Sequence, residues 1–203
     1  FKPGETNVLI GPSGCGKTTT LRMINRLIEP TKGNILIDGQ DIGKIDPVEL
    51  RRNIGYVIQQ IGLFPHMDIA ENVGLVPYLK NYPESKRKER IENLLDFVNM
   101  PAKDFAHRYP NELSGGQQQR IGVARALAAD PDIILMDEPF GALDPITRYA
   151  LQDDFLSMQD KIKKTVIFVT HDMDEDLKLA DKILIMKDGK LLQFDSPMEI
   201  LRK

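Results

Sequence analysis

The sequence predicts an α/β fold: a mostly parallel, largely buried sheet flanked by helices, with an α-helical subdomain inserted into it. Three observations predict it. Short apolar runs recur at residues 8–10, 56–58, 133–136, 165–170 and 182–186, and such runs alternating with helical patterns read as strands buried on both faces. A glycine-rich turn joins the first run to a helical pattern, at residues 11–18. Residues 70–129 are mainly helical in period and interrupt the alternation.

Bulk properties narrow the function. A chain of 203 residues can bury a real core. Lys and Arg total 27 against 30 Asp and Glu, a net charge of −3. That lacks the basic footprint of a nucleic-acid binder, so nucleic acid is not an expected partner. Cys15 is the single cysteine, which excludes an internal disulfide and suits a reducing cytosol. No apolar run reaches membrane-spanning length, and no signal peptide is visible. The first residue is Phe1 and not Met, which predicts a chain lacking its natural N-terminus.

The elements follow in order. Residues 1–7, with Pro3 and Gly4, read as a turn feeding the first strand. After the glycine-rich turn, Leu21, Ile24, Leu27 and Ile28 lie at helical spacing. Residues 33–40, GNILIDGQ, set Ile35 and Ile37 between turn glycines and predict a hairpin arm. Residues 46–52, DPVELRR, predict a short helix with Asp46 as N-cap and Pro47 at the first position. The strand at 56–58 ends at Gln59 and Gln60. Residues 84–100 form a charged amphipathic stretch, and the charge run 85–90 reads as a solvated face. The last apolar run is followed by the turn Asp188-Gly189 and a strand at 191–194.

The chemistry starts at residues 11–18, GPSGCGKT, which fit G-x-x-x-x-G-K-[ST], the Walker A or P-loop pattern. The candidate nucleotide-binding residues are Gly11, Pro12, Ser13, Gly14, Cys15, Gly16, Lys17, Thr18 and Thr19. The glycines let the backbone curl so that its N–H groups face a polyphosphate. The helix that follows adds its N-terminal dipole. Lys17 supplies a point charge for the β- and γ-phosphates, and the Thr18 hydroxyl suits Mg²⁺. ATP and Mg²⁺ are the expected cofactors.

Asp137 and Glu138 end the apolar run at 133–136. A carboxylate at the C-terminal end of a buried strand lies near the P-loop in a doubly wound sheet. Asp137 would then hold Mg²⁺ and Glu138 would polarise an attacking water. LSGGQ, residues 113–117, offers a second anion site, with Ser114 capping a helix that starts near Gln117 and Gly115 and Gly116 exposing N–H groups.

LSGGQ and the following QQR fit the signature of the ATP-binding cassette family, and the chain resembles the ATPase subunit of an ABC transporter over almost its whole length. The resemblance matches Gln59 to the Q-loop glutamine, Asp144 in GALD (residues 141–144) to the D-loop, and His171 to the switch histidine. It implies a P-loop NTPase core that is RecA-like over residues 1–69 and 130–203, with residues 70–129 as the helical signature subdomain of a single ABC domain. It further implies a head-to-tail dimer of two copies with two ATP molecules sandwiched between them. Leu113, Ser114, Gly115, Gly116 and Gln117 would serve the partner's ATP. Glu138, His171 and Gln59 would be catalytic, and Thr18, Gln59 and Asp137 would hold the metal. Transmembrane permease subunits and, indirectly, a solute-binding protein are the other implied partners, which places the chain at the cytoplasmic face of the cell membrane. The family also carries an adenine-stacking aromatic upstream of the loop, and Phe1 lies too close to the loop to match it.

Finer resemblance concerns the solute. Residues 55–67, GYVIQQIGLFPHM, and 22–30, RMINRLIEP, resemble importers of quaternary amines: glycine betaine, carnitine and choline. Residues 137–148, DEPFGALDPITR, are typical of importer ATPases more broadly. The competing readings are an importer ATPase for another solute, such as an amino acid or sugar, and a soluble ABC ATPase acting on DNA or ribosomes. A P-loop small-molecule kinase is disfavoured by LSGGQ and by the lack of an Arg-rich lid. The loop segment 62–73, with Leu63, Phe64, Pro65 and Met67 apolar, is expected to dock a permease helix.

Overall fold

The computed structural model describes residues 1–59, 62–141, 143–170 and 177–202. Its main sheet has six strands, β1 (Thr6–Ile10), β4 (Ile54–Val57), β5 (Ile133–Asp137), β6 (Thr165–Val169), β7 (Lys182–Lys187) and β8 (Lys190–Asp195). They run in the order β4-β5-β6-β1-β7-β8. Every pairing is parallel except β7 with β8, which turn back on each other through Asp188-Gly189. The small strands β2 (Leu36–Ile37) and β3 (Gln40–Asp41) form the separate hairpin expected near residues 33–40.

Alternation along the strands divides the core in two, because successive side chains point to opposite faces. Val8, Ile134, Met136, Val166 and Phe168 face one side. They pack with α3 (Ile69–Leu79), α4 (Glu84–Phe97), α6 (Gly115–Leu127) and α7 (Pro145–Ile162). Leu9, Leu135, Ile167 and Val169 face the other side, under α1 (Lys17–Ile24), α2 (Pro47–Arg52) and the β2–β3 hairpin. A short α5 (Ala102–Phe105) joins α4 to α6, and α8 (Pro197–Leu201) closes the described chain. Each of the larger buried side chains contributes about 1.5–3 kcal/mol by leaving water.

Local chemistry explains the ends of the helices. The Asp46 carboxylate accepts from the N–H groups of Val48 and Glu49, with Pro47 at the first helical position, as the sequence predicts. Asp68 and Glu71 form a capping box on α3. Arg90, inside the charge run, turns inward and donates to the carbonyls of Leu127 and Ala128 at the end of α6. The rest of that run is solvent-facing, apart from half-buried Arg87.

Two boundaries differ from expectation. The apolar spacing suggested that α1 reaches Ile28, but the helix stops at Ile24. Arg26 takes a left-handed conformation, φ 49°, and the N–H groups of Leu27 and Ile28 fold back onto the Arg22 carbonyl. Leu27 and Ile28 are therefore exposed. The second strand starts earlier and ends earlier than residues 56–58, at Ile54–Val57, so Ile58 lies outside the ladder and half out of the core.

Candidate functional site

The site gathers at the C-terminal ends of the parallel strands. β1 delivers the chain into residues 11–16, and α1 leaves them. Gly16 is the N-cap of α1 with φ 106°, in the region that favours glycine. Gly11 is wedged so closely under β7 that an added Cβ would lie 2.1 Å from the Met186 carbonyl oxygen. The first N–H groups of α1 have no carbonyl within the helix to bond, which is the usual basis of an anion cradle.

Lys17 is only 8 % exposed. Its Nζ donates to the Gly11 carbonyl at 2.7 Å and the Pro12 carbonyl at 3.2 Å. It also reaches the Cys15 thiol at 4.0 Å. No carboxylate forms a salt bridge with it among the described residues, so carbonyl dipoles are its main partners within the loop. Cys15 turns its thiol inward against Gly11 and is buried with Leu9 and Met186, so it acts as a small apolar filler beneath the loop.

Asp137 closes β5, and its Oδ1 accepts from Thr18 Oγ1 at 3.0 Å. The loop's hydroxyl and the strand-end carboxylate are thus brought together across 119 residues of sequence. Burial pushes the Asp137 carboxyl above its ordinary value; the Thr18 hydrogen bond opposes this, the neighbouring Glu138 charge adds to it, and Arg22 and Lys17 oppose it.

Glu138 follows in a left-handed conformation, φ 46°. Its N–H donates to the Val169 carbonyl at 2.8 Å, tying the turn to the end of β6. A non-glycine residue held there is strained, and such strain clusters at functional sites. The turn aims the carboxylate at Gln59, whose Nε2 donates to Glu138 Oε2 at 2.8 Å. So Thr18, Asp137, Glu138 and Gln59, from three segments, form two adjacent hydrogen-bonded pairs. His171 lies outside the described residues; Thr170 before it is buried at the end of β6.

The residues 113–117 are arranged differently. Ser114 is the N-cap of α6, which starts at Gly115, two residues earlier than expected. Ser114 Oγ accepts from the Gln117 N–H and Gln117 Oε1 accepts from the Ser114 N–H, a capping box. Leu113 is buried, while Ser114 and Gly115 are exposed. A Cβ on Gly116 would meet the Thr147 methyl at 2.7 Å, so glycine here permits α6 to approach α7. No hydrogen bond joins this segment to residues 11–18 among the described residues. Asp144 caps α7 by accepting from the Thr147 N–H at 3.1 Å, and bonds from Thr147 hold its carboxyl below the ordinary range.

The segment 62–73 is less of a free surface than expected. Ile69 and Val73 are fully buried, and Leu63 packs on the core. Phe64 and Pro65 are exposed, and Met67 lines a groove of about 390 Å³ between α3 and α4 with Leu75, Tyr78, Arg87 and Ile91. Phe1 is not part of the loop either: it packs edge-on against Phe194 at 5.8 Å.

Three structural contributors had gone unnoticed in the sequence. Arg22 sits one helical turn after Thr18 and hydrogen-bonds Tyr56, whose phenol is pushed up by burial and by the Asp137 charge. The i, i+4 spacing from Thr18 was the available signal. Asn72, fully buried, accepts from the Phe64 N–H and donates to the carbonyls of Phe64, Met67 and Asp68. Arg125 of α6 donates to the Gly62 carbonyl at 2.7 Å, bracing the chain just beyond the Gln59 region. No local sequence pattern marks Asn72 or Arg125.

A glycine loop between strand and helix, with a buried carboxylate of a second strand bonded to the loop's threonine, defines a P-loop NTPase core. The chain belongs to the ABC transporter family, whose model matches residues 1–141. It is 65 % identical over 199 residues to the glycine betaine/carnitine/choline transport ATP-binding protein OpuCA of Bacillus subtilis (strain 168), covering 98 % of this chain and 52 % of that protein. It is 60 % identical over 200 residues to the osmoprotectant import ATP-binding protein OsmV of Salmonella typhimurium, again covering 98 % of this chain and 52 % of the relative. The chain therefore spans about half the length of these curated relatives. Among solved structures it matches the dimeric post-hydrolysis state of the ATP-binding cassette MJ0796 bound to ADP and Pi. That match has TM-score 0.83 and 38 % identity, over 96 % of this chain and 86 % of the other. It also matches cbiO1 from Clostridium perfringens, part of the ABC transporter complex cbiONQ, with TM-score 0.90 and 28 % identity over 100 % and 81 % of the two chains.

Proposed function

We propose that the chain is the ATP-binding and ATP-hydrolysing part of an ABC importer for a quaternary-amine osmoprotectant such as glycine betaine, carnitine or choline. The observation that carries the ATPase reading is the junction of Thr18–Asp137 with Gln59–Glu138 beside a buried Lys17 held by loop carbonyls. Residues 11–19 take the phosphates. Lys17 exchanges loop carbonyls for phosphate oxygens, a charge-assisted bond worth about twice a neutral one. Glu138, aimed by its own strained turn and by Gln59, accepts the proton of an attacking water. His171 is assigned to the γ-phosphate by kinship alone.

Mg²⁺ suits the donors present. The hydroxyl of Thr18, the amide oxygen of Gln59 and the carboxylate of Asp137 are the hard oxygen ligands that cation prefers. Thr18 Oγ1 and Asp137 Oδ1 already converge, and Asp137 is a buried carboxylate whose charge lacks full compensation. Held by these residues, Mg²⁺ would supply neutralisation of the phosphate charge.

The partners follow from this reading. Exposed Ser114 and Gly115, which make no hydrogen bond to residues 11–18 among the described residues, fit a site for the ATP of a second copy in a head-to-tail dimer; the dimeric MJ0796 cassette supports it. The groove between α3 and α4 fits a cytoplasmic helix of a permease, with Met67, Leu75, Tyr78 and Ile91 as the apolar floor. Among the described residues no helix is long and apolar enough to cross a membrane, so membrane association would be peripheral, through the permease. The division into a nucleotide-binding core, residues 1–69 and 130–203, and a helical subdomain, residues 70–129, is consistent with α3 to α6 packing mainly on one another and on one sheet face.

The solute assignment rests on relatives whose names specify glycine betaine, carnitine, choline or osmoprotectant transport. Its test is ATP-driven uptake of glycine betaine, carnitine and choline into vesicles holding the complete transporter, with an amino acid and a sugar as competitors. Uptake of the quaternary amines, unaffected by the competitors, is expected. Uptake of an amino acid or sugar instead would replace the solute assignment and leave the ATPase reading standing.

A further inference from the structure

A cavity of about 110 Å³ lies behind the catalytic turn, between α4, α6, α7 and the end of β5. Its walls are Phe97, Met136, Phe140, Phe155 and Met158, and Gln119 joins them from α6. Gln119 is 2 % exposed, and its Nε2 has no hydrogen-bond partner among the described residues. An amide donor left unpaired in an apolar wall is costly. Nothing in the nucleotide chemistry uses it. The cavity touches Pro139 and Phe140, directly after Glu138, and it touches both the helix capped by Ser114 and the helix capped by Asp144.

We propose that this cavity is a binding site for a small neutral ring alcohol, with the ring among the aromatic and methionine side chains and the hydroxyl on Gln119. The size argument is direct. An enclosed apolar cavity of about 150 Å³ accepts benzene, and this one is somewhat smaller but open on one side, where Lys161 stands over the Phe97 ring at 6.0 Å. The chemical argument is that a hydroxyl both accepts and donates, so it can satisfy a primary amide. A charged ligand is disfavoured. Of the charged residues that line it, Arg120 and Asp154 pair with each other at 2.6 Å and Lys161 is solvent-exposed, so none presents a buried, unneutralised charge to meet one. This inference does not depend on the transport reading.

The cavity carries its own reporters, because Met136 and Met158 line it while Met23 and Met198 lie elsewhere. The experiment is methyl-¹³C methionine NMR of the whole chain, titrated with phenol and, separately, with toluene, its isostere without the hydroxyl. Phenol should shift the Met136 and Met158 methyls saturably and leave Met23 and Met198 in place. In Gln119→Met the preference for phenol over toluene should fall by about tenfold, the loss of one buried hydrogen bond. Val123→Phe, at the partly exposed rim, should block both ligands and serves as the second variant if Gln119→Met does not fold. Several results would overturn the proposal: no saturable shift with phenol, equal shifts at all four methyls, an unchanged preference in Gln119→Met, or unchanged phenol affinity in Val123→Phe.

Discussion

Replacing Glu138 by Gln separates binding from hydrolysis. Glu138 Oε2 accepts from Gln59 Nε2, and a glutamine can still accept that bond through its own oxygen. The left-handed turn and its bond to Val169 involve only backbone, so they persist. Fold stability should therefore change by no more than about 0.5 kcal/mol. Asp137 loses a neighbouring charge that raises its pKa, so the cation site is not weakened. What disappears is the basicity needed to take a proton from water, a contribution of about 10²–10⁴ in rate. Turnover measured by phosphate release should fall at least a hundredfold, while ATP affinity by calorimetry stays within about threefold. With hydrolysis blocked, the ATP-bound dimer should persist in size-exclusion chromatography with light scattering. Adding Ser114→Arg should abolish that dimer, because bulk and charge would occupy the partner's phosphate site. If Glu138→Gln releases phosphate at the parent rate, Glu138 is not the base and the assignment of the catalytic turn is wrong.

Lys17→Ala should weaken ATP binding itself, by about a factor of ten or more for one lost charge-assisted bond; calorimetry giving parent affinity would remove Lys17 from the phosphate site. Asp137→Asn should raise Tm at neutral pH by about 2–4 °C per kcal/mol relieved. The sign follows from the raised carboxyl: as pH falls, the folded chain takes up its proton before the unfolded chain does. The burial penalty is therefore fully present above the raised value and is relieved between it and the ordinary value of 3.8. The parent and the Asn variant should converge in Tm across that window, and a constant gap down to acid pH would contradict the cause given. Asn72→Ala strips a fully buried amide from the carbonyls of Phe64, Met67 and Asp68. It should cost about 3 kcal/mol in urea unfolding, with faster hydrogen exchange at residues 64–68, and an unchanged midpoint would show that the loop is held otherwise.

The sequence by itself determined the parts that depend on short-range chemistry. Glycines at 11, 14 and 16 with Lys17 and Thr18 announce a phosphate loop, because few other residues tolerate that backbone and few other groups suit a polyphosphate. Strand alternation and caps such as Asp46 and Ser114 are equally local, and they were legible. Tertiary structure decided what depends on meetings between distant segments. Thr18 meets Asp137, and Gln59 meets Glu138, only because β4, β5 and β6 are ordered beside β1. Leu27 and Ile28 kept the helical spacing yet left the core, because a left-handed Arg26 ended the helix before them. Ile69 and Val73 turned from a docking loop into core, because α3 packs down on the sheet face. The unpaired amide of Gln119 had no sequence mark at all: whether a buried polar group finds a partner is settled by packing across helices, and a linear pattern carries no record of it.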